Sequence, residues 1–392
     1  MAQEAAGSNV AAFPLSRAKP RAGLVLTGGG ARAAYQVGVV KAVRDILGNP
    51  SKNPFPILCG TSAGAINAVA LAAFADHFSR AVGNLLEVWE NMRCELVYRT
   101  DVASIVRRGI RWLGALSWLS RQNPVSLLDN APLGEMLARF LPFDRIQANI
   151  DAGALYAVSV TASGYTSGQS VSFFQGRPEL EGWERNQRIG AAVSIKLEYL
   201  LASSALPFIF PAVKVHREYF GDGSMRQIAP VSPALHLGAD RVMVVGTGRQ
   251  AQDPARARSN VYPSLAQIAG HALNSIFLDS LMVDIERMER INRTLSLIPE
   301  DAIAQRKVSL RPIQVLFISP SQPIERLAAR FVHELPPMVR FVLRPTGAMN
   351  RSGSNLASYL LFEEPFCRAL VDLGYQDTVD REKEVSAFFE GI

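Results

Sequence analysis

Twice near its start the chain ends a short apolar run in a glycine-bounded turn and leaves that turn in a helical pattern. Residues 22–27 (Ala-Gly-Leu-Val-Leu-Thr) are broken by three consecutive glycines, and a helical stretch over residues 31–47 follows, stopped by Gly48-Asn49-Pro50. Residues 55–60 (Phe-Pro-Ile-Leu-Cys-Gly) turn through Thr61 and Ser62 into a small-residue helical stretch over 63–78. A short apolar run without alternation reads as a strand buried on both faces. Two strand–turn–helix units in succession predict an α/β fold with a mainly parallel central sheet and crossover helices.

Similar patterns continue along the chain. Residues 132–141 form a helix started by Asp129 or Asn130, and residues 154–162 and 169–175 form strands joined by a Gly/Ser/Thr-rich turn, a hairpin. A helix is expected over 188–201, a strand over 213–220, a tight turn at 221–223, a helix over 232–237 and a buried strand over 241–245. Residues 249–258 read as a connector, 265–295 as a long helical stretch, 313–318 as one more apolar strand, and helices fill the rest. The late strand places residues 251–392 on the same sheet, as a mainly helical extension of a core spanning 21–250; residues 1–20 read as a disordered tail. Residues 95–130 interrupt the rhythm with Arg107, Arg108, Arg111, Trp112, Trp118 and Arg121 set among Ile105, Ile110, Leu113 and Leu116. This is an amphipathic helix or two, read first as packing on the core and second as a cap or a membrane-surface element.

Composition narrows the function classes. With 48% hydrophobic and 19% charged residues in 392, the chain has material for a large core and is not disordered. The net charge is +6, and 34 of the 41 basic residues are Arg. They form no dense basic block, so nucleic acid is not an expected partner, while a mildly basic face toward anionic lipid stays open. Cys59, Cys94 and Cys367 are too far apart for a CxxC or zinc spacing, so neither a disulfide framework nor a metal site is expected, and reduced thiols fit a cytoplasmic protein. The first 20 residues lack the apolar core of a secretory signal, and the longest weakly polar run, residues 63–75, is too short to cross a bilayer.

Three loops carry chemistry. Gly60-Thr61-Ser62-Ala63-Gly64 is a G-x-S-x-G sequence in the setting that the motif requires, after a strand and opening a helix. The sharp turn needs small neighbours, and it leaves the serine hydroxyl at a helix N-terminus, where amides and dipole favour negative charge. A serine nucleophile needs a base. None of the five histidines (His77, His216, His236, His271, His333) sits in a loop after a late strand, so a Ser-His-Asp triad is the weaker alternative. Asp222, flanked by Gly221 and Gly223 at a strand end, is the other candidate, and partial burial beside Tyr219 or Phe220 would raise its pKa into a useful range. Gly28, Gly29 and Gly30 with Ala31, Arg32 and Ala33 match a dinucleotide fingerprint, but the second strand ends without the acidic residue that fingerprint wants. The other reading is an oxyanion hole of exposed backbone N–H groups, with Arg32 adding positive charge.

Together, in this order, the glycine loop, the serine elbow and the Asp222-Gly223 pair closely resemble the patatin-like phospholipase family, as does the stretch Ala202-Ser-Ser-Ala-Leu-Pro-Phe-Ile-Phe-Pro211. The resemblance spans roughly residues 22–245. One departure is Ser224, where many members carry Gly or Ala. The resemblance implies a three-layer α/β/α core with a helical cap insertion. It implies Ser62 as nucleophile, Asp222 as base without histidine, and an oxyanion hole at Gly28, Gly29, Gly30, Ala31 and Arg32, with Arg32 supporting the loop or a phosphate. Its members hydrolyse acyl esters of phospholipids and other lipids, without cofactor or metal. A lipid substrate, peripheral contact with an anionic membrane and a cytoplasmic location follow as expectations. Acyl transfer on the same site and a catalytically silent membrane-associated protein are the alternatives.

Overall fold

The computed structural model describes residues 20–101, 126–248, 262–299, 310–350 and 353–391. The tail, the Arg/Trp stretch at 104–121 and the connector at 249–258 lie outside the described residues. Five strands form a parallel run in the order β10 (Gln314–Ile318), β9 (Arg241–Val245), β1 (Ala22–Leu26), β2 (Ile57–Thr61) and β3 (Ala157–Gly164). Beyond β3 the sheet becomes mixed: β4 (Ser170–Gly176) pairs antiparallel with β3, and β6 (Arg188–Ala192) and β5 (Trp183–Arg185) follow it to the edge. The hairpin of β7 (Val213–Val215) and β8 (Glu218–Asp222) attaches antiparallel to the end of β3 through β8. The late strand therefore pairs within the sheet that carries the first two strands.

Side-chain alternation along the strands feeds two cores. Leu24, Leu26, Leu58, Val160 and Met243 face the helices Ala34–Ile46, Ala63–Ala73, Phe78–Glu90 and Glu364–Val379. Val25, Ile57, Cys59, Val242 and Val244 face Ser232–His236 and Ser280–Leu295 on the other side. The result is an α/β/α arrangement with a mostly parallel sheet in the middle. The C-terminal helix Glu364–Val379 lies against Ala34–Ile46 at close range: a Cβ at Gly38 would overlap the carbonyl of Val371, and one at Gly374 would overlap that of Tyr35. The Tyr35 hydroxyl donates to Asp377 across this contact at 3.0 Å.

Four expected elements differ. Residues 188–201 split into β6 and the helix Leu197–Ser203, because 188–192 pair with β4 and the Trp183 ring covers Gly190, where no Cβ fits. Residues 213–220 turn at His216-Arg217, with His216 at φ 51°, so an apparently continuous strand is a hairpin. The helix begun at Ala63 stops at Ala73, where Asn149 Nδ2 takes the freed carbonyls of Ala72 and Ala73 and Arg145 Nε takes Ala73 again. Asp222 lies within β8 and not in a turn; Gly223 then opens a short 3-10 turn, Gly223–Arg226. The helical stretch Leu265–Leu295 is 31 residues long and apolar enough, by length and composition, to cross a membrane. Its inner face is committed to the sheet through Leu281, Ile285 and Met288.

Candidate active site

Strand register sets the site. The carboxyl ends of β1 and β2 are neighbours, Leu26 level with Gly60, so the glycine loop and the serine elbow leave the sheet side by side. Thr61 pairs with Thr161 and Ala162 pairs with Asp222, which puts Ser62 and Asp222 at one level on either side of Ala162.

Ser62 caps the helix Ala63–Ala73 at φ 55° and ψ −132°, a left-handed conformation that a serine holds only when its surroundings fix it. Those surroundings are visible. A Cβ at Gly60 would overlap the Gly64 carbonyl, and one at Gly64 would overlap that of Leu26, so the helix starts in contact with β1. The Ser62 N–H donates to Ser203 Oγ at 2.8 Å, and Ser203 Oγ donates to the Thr161 carbonyl at 2.6 Å.

Asp222 is fully buried. Its N–H donates to the Ala205 carbonyl at 2.9 Å, and its Oδ1 accepts the Ser224 N–H at 2.9 Å. Burial lifts its pKa from 3.8 to about 6, against the opposing pull of the Ser62 hydroxyl and of Ser224. Oδ2 completes no hydrogen bond of ordinary geometry among the described residues. A carboxylate with this pKa is ionised at neutral pH and a much better base than an exposed aspartate. Ser224, the departure from the family pattern, contributes its backbone N–H and packs its hydroxyl where a Cβ on Gly28 would stand.

The glycine loop is held on both sides. Thr247 Oγ1 donates to the Gly28 carbonyl, and Gly30, at φ 55°, lies so close to the Tyr359 carbonyl that no Cβ fits. Among the described residues no acceptor takes the N–H groups of Gly29, Gly30 or Ala31, and Gly30 shares a cavity wall with Ser62, Ala63 and Asp222. Arg32 supports the loop, one of the two roles expected of it. It is 1% exposed, its N–H turns back to the Gly29 carbonyl, and its guanidinium does not line the cavity. The side chain instead donates to Ser358 Oγ at 2.7 Å, Asn274 Oδ1 at 3.0 Å and Asn355, beneath the Tyr359 ring at 4.0 Å. These bonds brace the loop and hold the guanidinium off the cavity wall.

The cavity holds about 650 Å³, within the range of ligand sites, and its wall is mainly apolar, built by Ile66, Leu85, Trp89, Leu137, Phe210 and Phe277 among others. No histidine lines it. His236 stacks on Trp183, His216 meets the Tyr199 hydroxyl and His333 pairs with Glu334, so these three are engaged elsewhere. Among the described residues no three His, Cys, Asp or Glu side chains converge as metal ligands would.

A model of the patatin-like phospholipase domain matches residues 24–235, more than half the chain. The chain belongs to the patatin-like phospholipase family. The serine elbow and Asp222 of this patatin-like domain both fall inside the matched span; Thr247, Asn274, Phe277, Asn355, Ser358 and Tyr359, which hold its glycine loop, fall outside it. A cGAMP-activated phospholipase of Pseudomonas aeruginosa is 28% identical over 213 residues, 54% of this chain, and the chain spans about half (55%) of that relative's length. Among solved structures, VipD of Legionella pneumophila aligns with a TM-score of 0.32 and 14% identity, over 88% of this chain and 67% of that one. Human GIVD cytosolic phospholipase A2 bound to methyl gamma-linolenyl fluorophosphonate and terbium chloride aligns with a TM-score of 0.41 and 13% identity, over 95% and 60%. At these scores neither carries an argument about this chain.

Proposed function

We propose that the protein hydrolyses carboxylic esters of phospholipids or other acyl lipids through an acyl-enzyme on Ser62, with Asp222 as the sole base. One observation carries the reading: a serine in a strained elbow and a buried carboxylate on which its hydroxyl pulls stand at one mainly apolar cavity, beside backbone donors with no acceptor among the described residues.

Asp222 takes the Ser62 proton as Oγ attacks the ester carbonyl. The N–H groups of Gly29, Gly30 and Ala31 stabilise the negative oxygen that forms. Collapse expels the alcohol, which takes the proton from Asp222. Water, deprotonated in turn by Asp222, then releases the fatty acid. The apolar wall accepts the acyl chain, and burial of about 0.8 kcal/mol per methylene favours long chains over short ones.

Peripheral contact with an anionic bilayer belongs to this reading. Leu96 and Phe140 line the cavity and are also 40% and 54% exposed, so the apolar wall continues to the surface, where Arg139 joins it. A cytoplasmic location is supported by three free, buried cysteines.

The test is fatty-acid release from vesicles of mixed phosphatidylcholine and phosphatidylglycerol. The wild-type chain is expected to release fatty acid and lysolipid, and Ser62→Ala to fall to background with its melting temperature kept. Release by Ser62→Ala would assign the nucleophile elsewhere. Product that appears only when an alcohol acceptor is added would assign acyl transfer.

A further inference from the structure

We propose that Ser204 is a further catalytic residue, which holds the water that attacks the acyl-enzyme; the proposal rests on the roles of Ser62 and Asp222 given above. Ser204 follows the residue that ties down the nucleophile and precedes the one that ties down the base. Ser203 Oγ accepts the Ser62 N–H at 2.8 Å, and the Ala205 carbonyl accepts the Asp222 N–H at 2.9 Å. The backbone on either side of Ser204 is therefore fixed to both members of the dyad.

Ser204 lines the cavity together with Ser62 and Asp222 and is 7% exposed. Its hydroxyl is wholly buried and has no hydrogen-bond partner among the described residues. A buried hydroxyl left in that state costs about 1–3 kcal/mol, and the backbone bonds of Ser204 do not depend on it: its N–H donates to the Leu200 carbonyl and its carbonyl accepts the Leu206 N–H, as they would with an alanine there. Asp222 Oδ2 is the second polar atom at this cavity that completes no hydrogen bond of ordinary geometry among the described residues; its neighbour, the Ser62 hydroxyl, loses its proton on acylation, and Oδ2 and Ser204 Oγ are not bonded to each other. A buried water makes about three hydrogen bonds to polar groups of this kind. One proton of the water goes to Asp222 Oδ2 and the other to Ser204 Oγ, which leaves a lone pair for the acyl carbonyl.

The step balances without another reagent. The water oxygen bonds to the acyl carbon, its proton passes to Asp222, the bond from Ser62 Oγ to that carbon breaks, and Asp222 returns the proton to Ser62. A free acid and the starting enzyme result. Acylation needs no water, so Ser204 acts only in the second half of the cycle.

The experiment is steady-state and stopped-flow hydrolysis of p-nitrophenyl decanoate by wild type, Ser204→Ala and Ser204→Thr, with melting temperatures as the control for folding. Slower deacylation lowers kcat and KM together and leaves kcat/KM, which reports acylation, unchanged. Ser204→Ala is expected to lower kcat by about 10–100-fold at constant kcat/KM. It is also expected to show a burst of p-nitrophenol and to accumulate an acyl adduct on Ser62 by intact mass. Ser204→Thr, which keeps a hydroxyl, is expected to recover most of the turnover. An unchanged kcat in Ser204→Ala, or a fall in kcat/KM equal to the fall in kcat, overturns the proposal. Turnover by wild type without an acyl group ever residing on Ser62 overturns the dyad reading, and the proposal with it.

Discussion

Asp222→Asn is expected to lower kcat by about 10²–10⁴-fold, the usual contribution of a positioned general base, while making the protein more stable at pH 8. Both effects have one cause. Burial lifts the carboxyl of Asp222 from 3.8 to about 6, so the folded protein prefers it protonated. The stability this group contributes is fully present below pH 3.8 and is lost as pH rises through 6. Above that the ionised form is carried at a cost of up to about 3 kcal/mol. Activity has the opposite requirement, because only the ionised form accepts the Ser62 proton; it rises as pH passes 6 and levels off above. Asparagine removes the charge and the base together. The measurement is paired: kcat on p-nitrophenyl decanoate, and the unfolding midpoint between pH 5 and 8. A variant both inactive and less stable across that range would mean that Asp222 holds the structure instead of storing strain for the reaction.

Arg32→Lys carries the second large effect. The guanidinium is buried, and among the described residues it bonds no carboxylate; it meets Ser358, Asn274 and Asn355 and lies over Tyr359. A lysine keeps the charge but cannot reproduce a planar fork reaching three partners at once. The loss is expected to appear as about 2–4 kcal/mol of stability, the cost of leaving buried polar groups unmatched. It should also lower kcat by about 10²–10³-fold, as for a displaced oxyanion donor. KM should change little, since Arg32 does not touch the cavity. Melting curves and kinetics at a temperature where the variant is fully folded separate the two effects. Wild-type kcat in the folded variant would show that the loop keeps its geometry without this brace.

The family motifs were legible because each is local. An elbow must be flanked by small residues wherever it occurs, and Gly60 and Gly64 both sit in contacts that admit no Cβ. The strands β1, β2 and β9 were equally plain, since burial on both faces makes each of them a mainly apolar run. What stayed hidden depends on partners distant in the chain. Gly190 and Ala191 carry helix-compatible neighbours, and only pairing with β4 makes them strand. The turn at His216 interrupts no hydrophobic pattern. Arg32 gave no sign that it would be buried, because its partners lie more than 240 residues away. Ser203 and Ser204 were visible within a recognisable stretch, but their different duties, one fixing the elbow and one facing the cavity, come from orientation alone.

The most direct measurement is the rate at which a fluorophosphonate labels the protein as a function of pH, read by intact mass and by the modified peptide. The dyad account predicts a single adduct on Ser62, forming with a rate that rises through a midpoint near pH 6 and then levels off. In Asp222→Asn it predicts slow labelling with no inflection there. Wild-type labelling of Asp222→Asn, or a midpoint that moves when one of the five histidines is replaced, would contradict it.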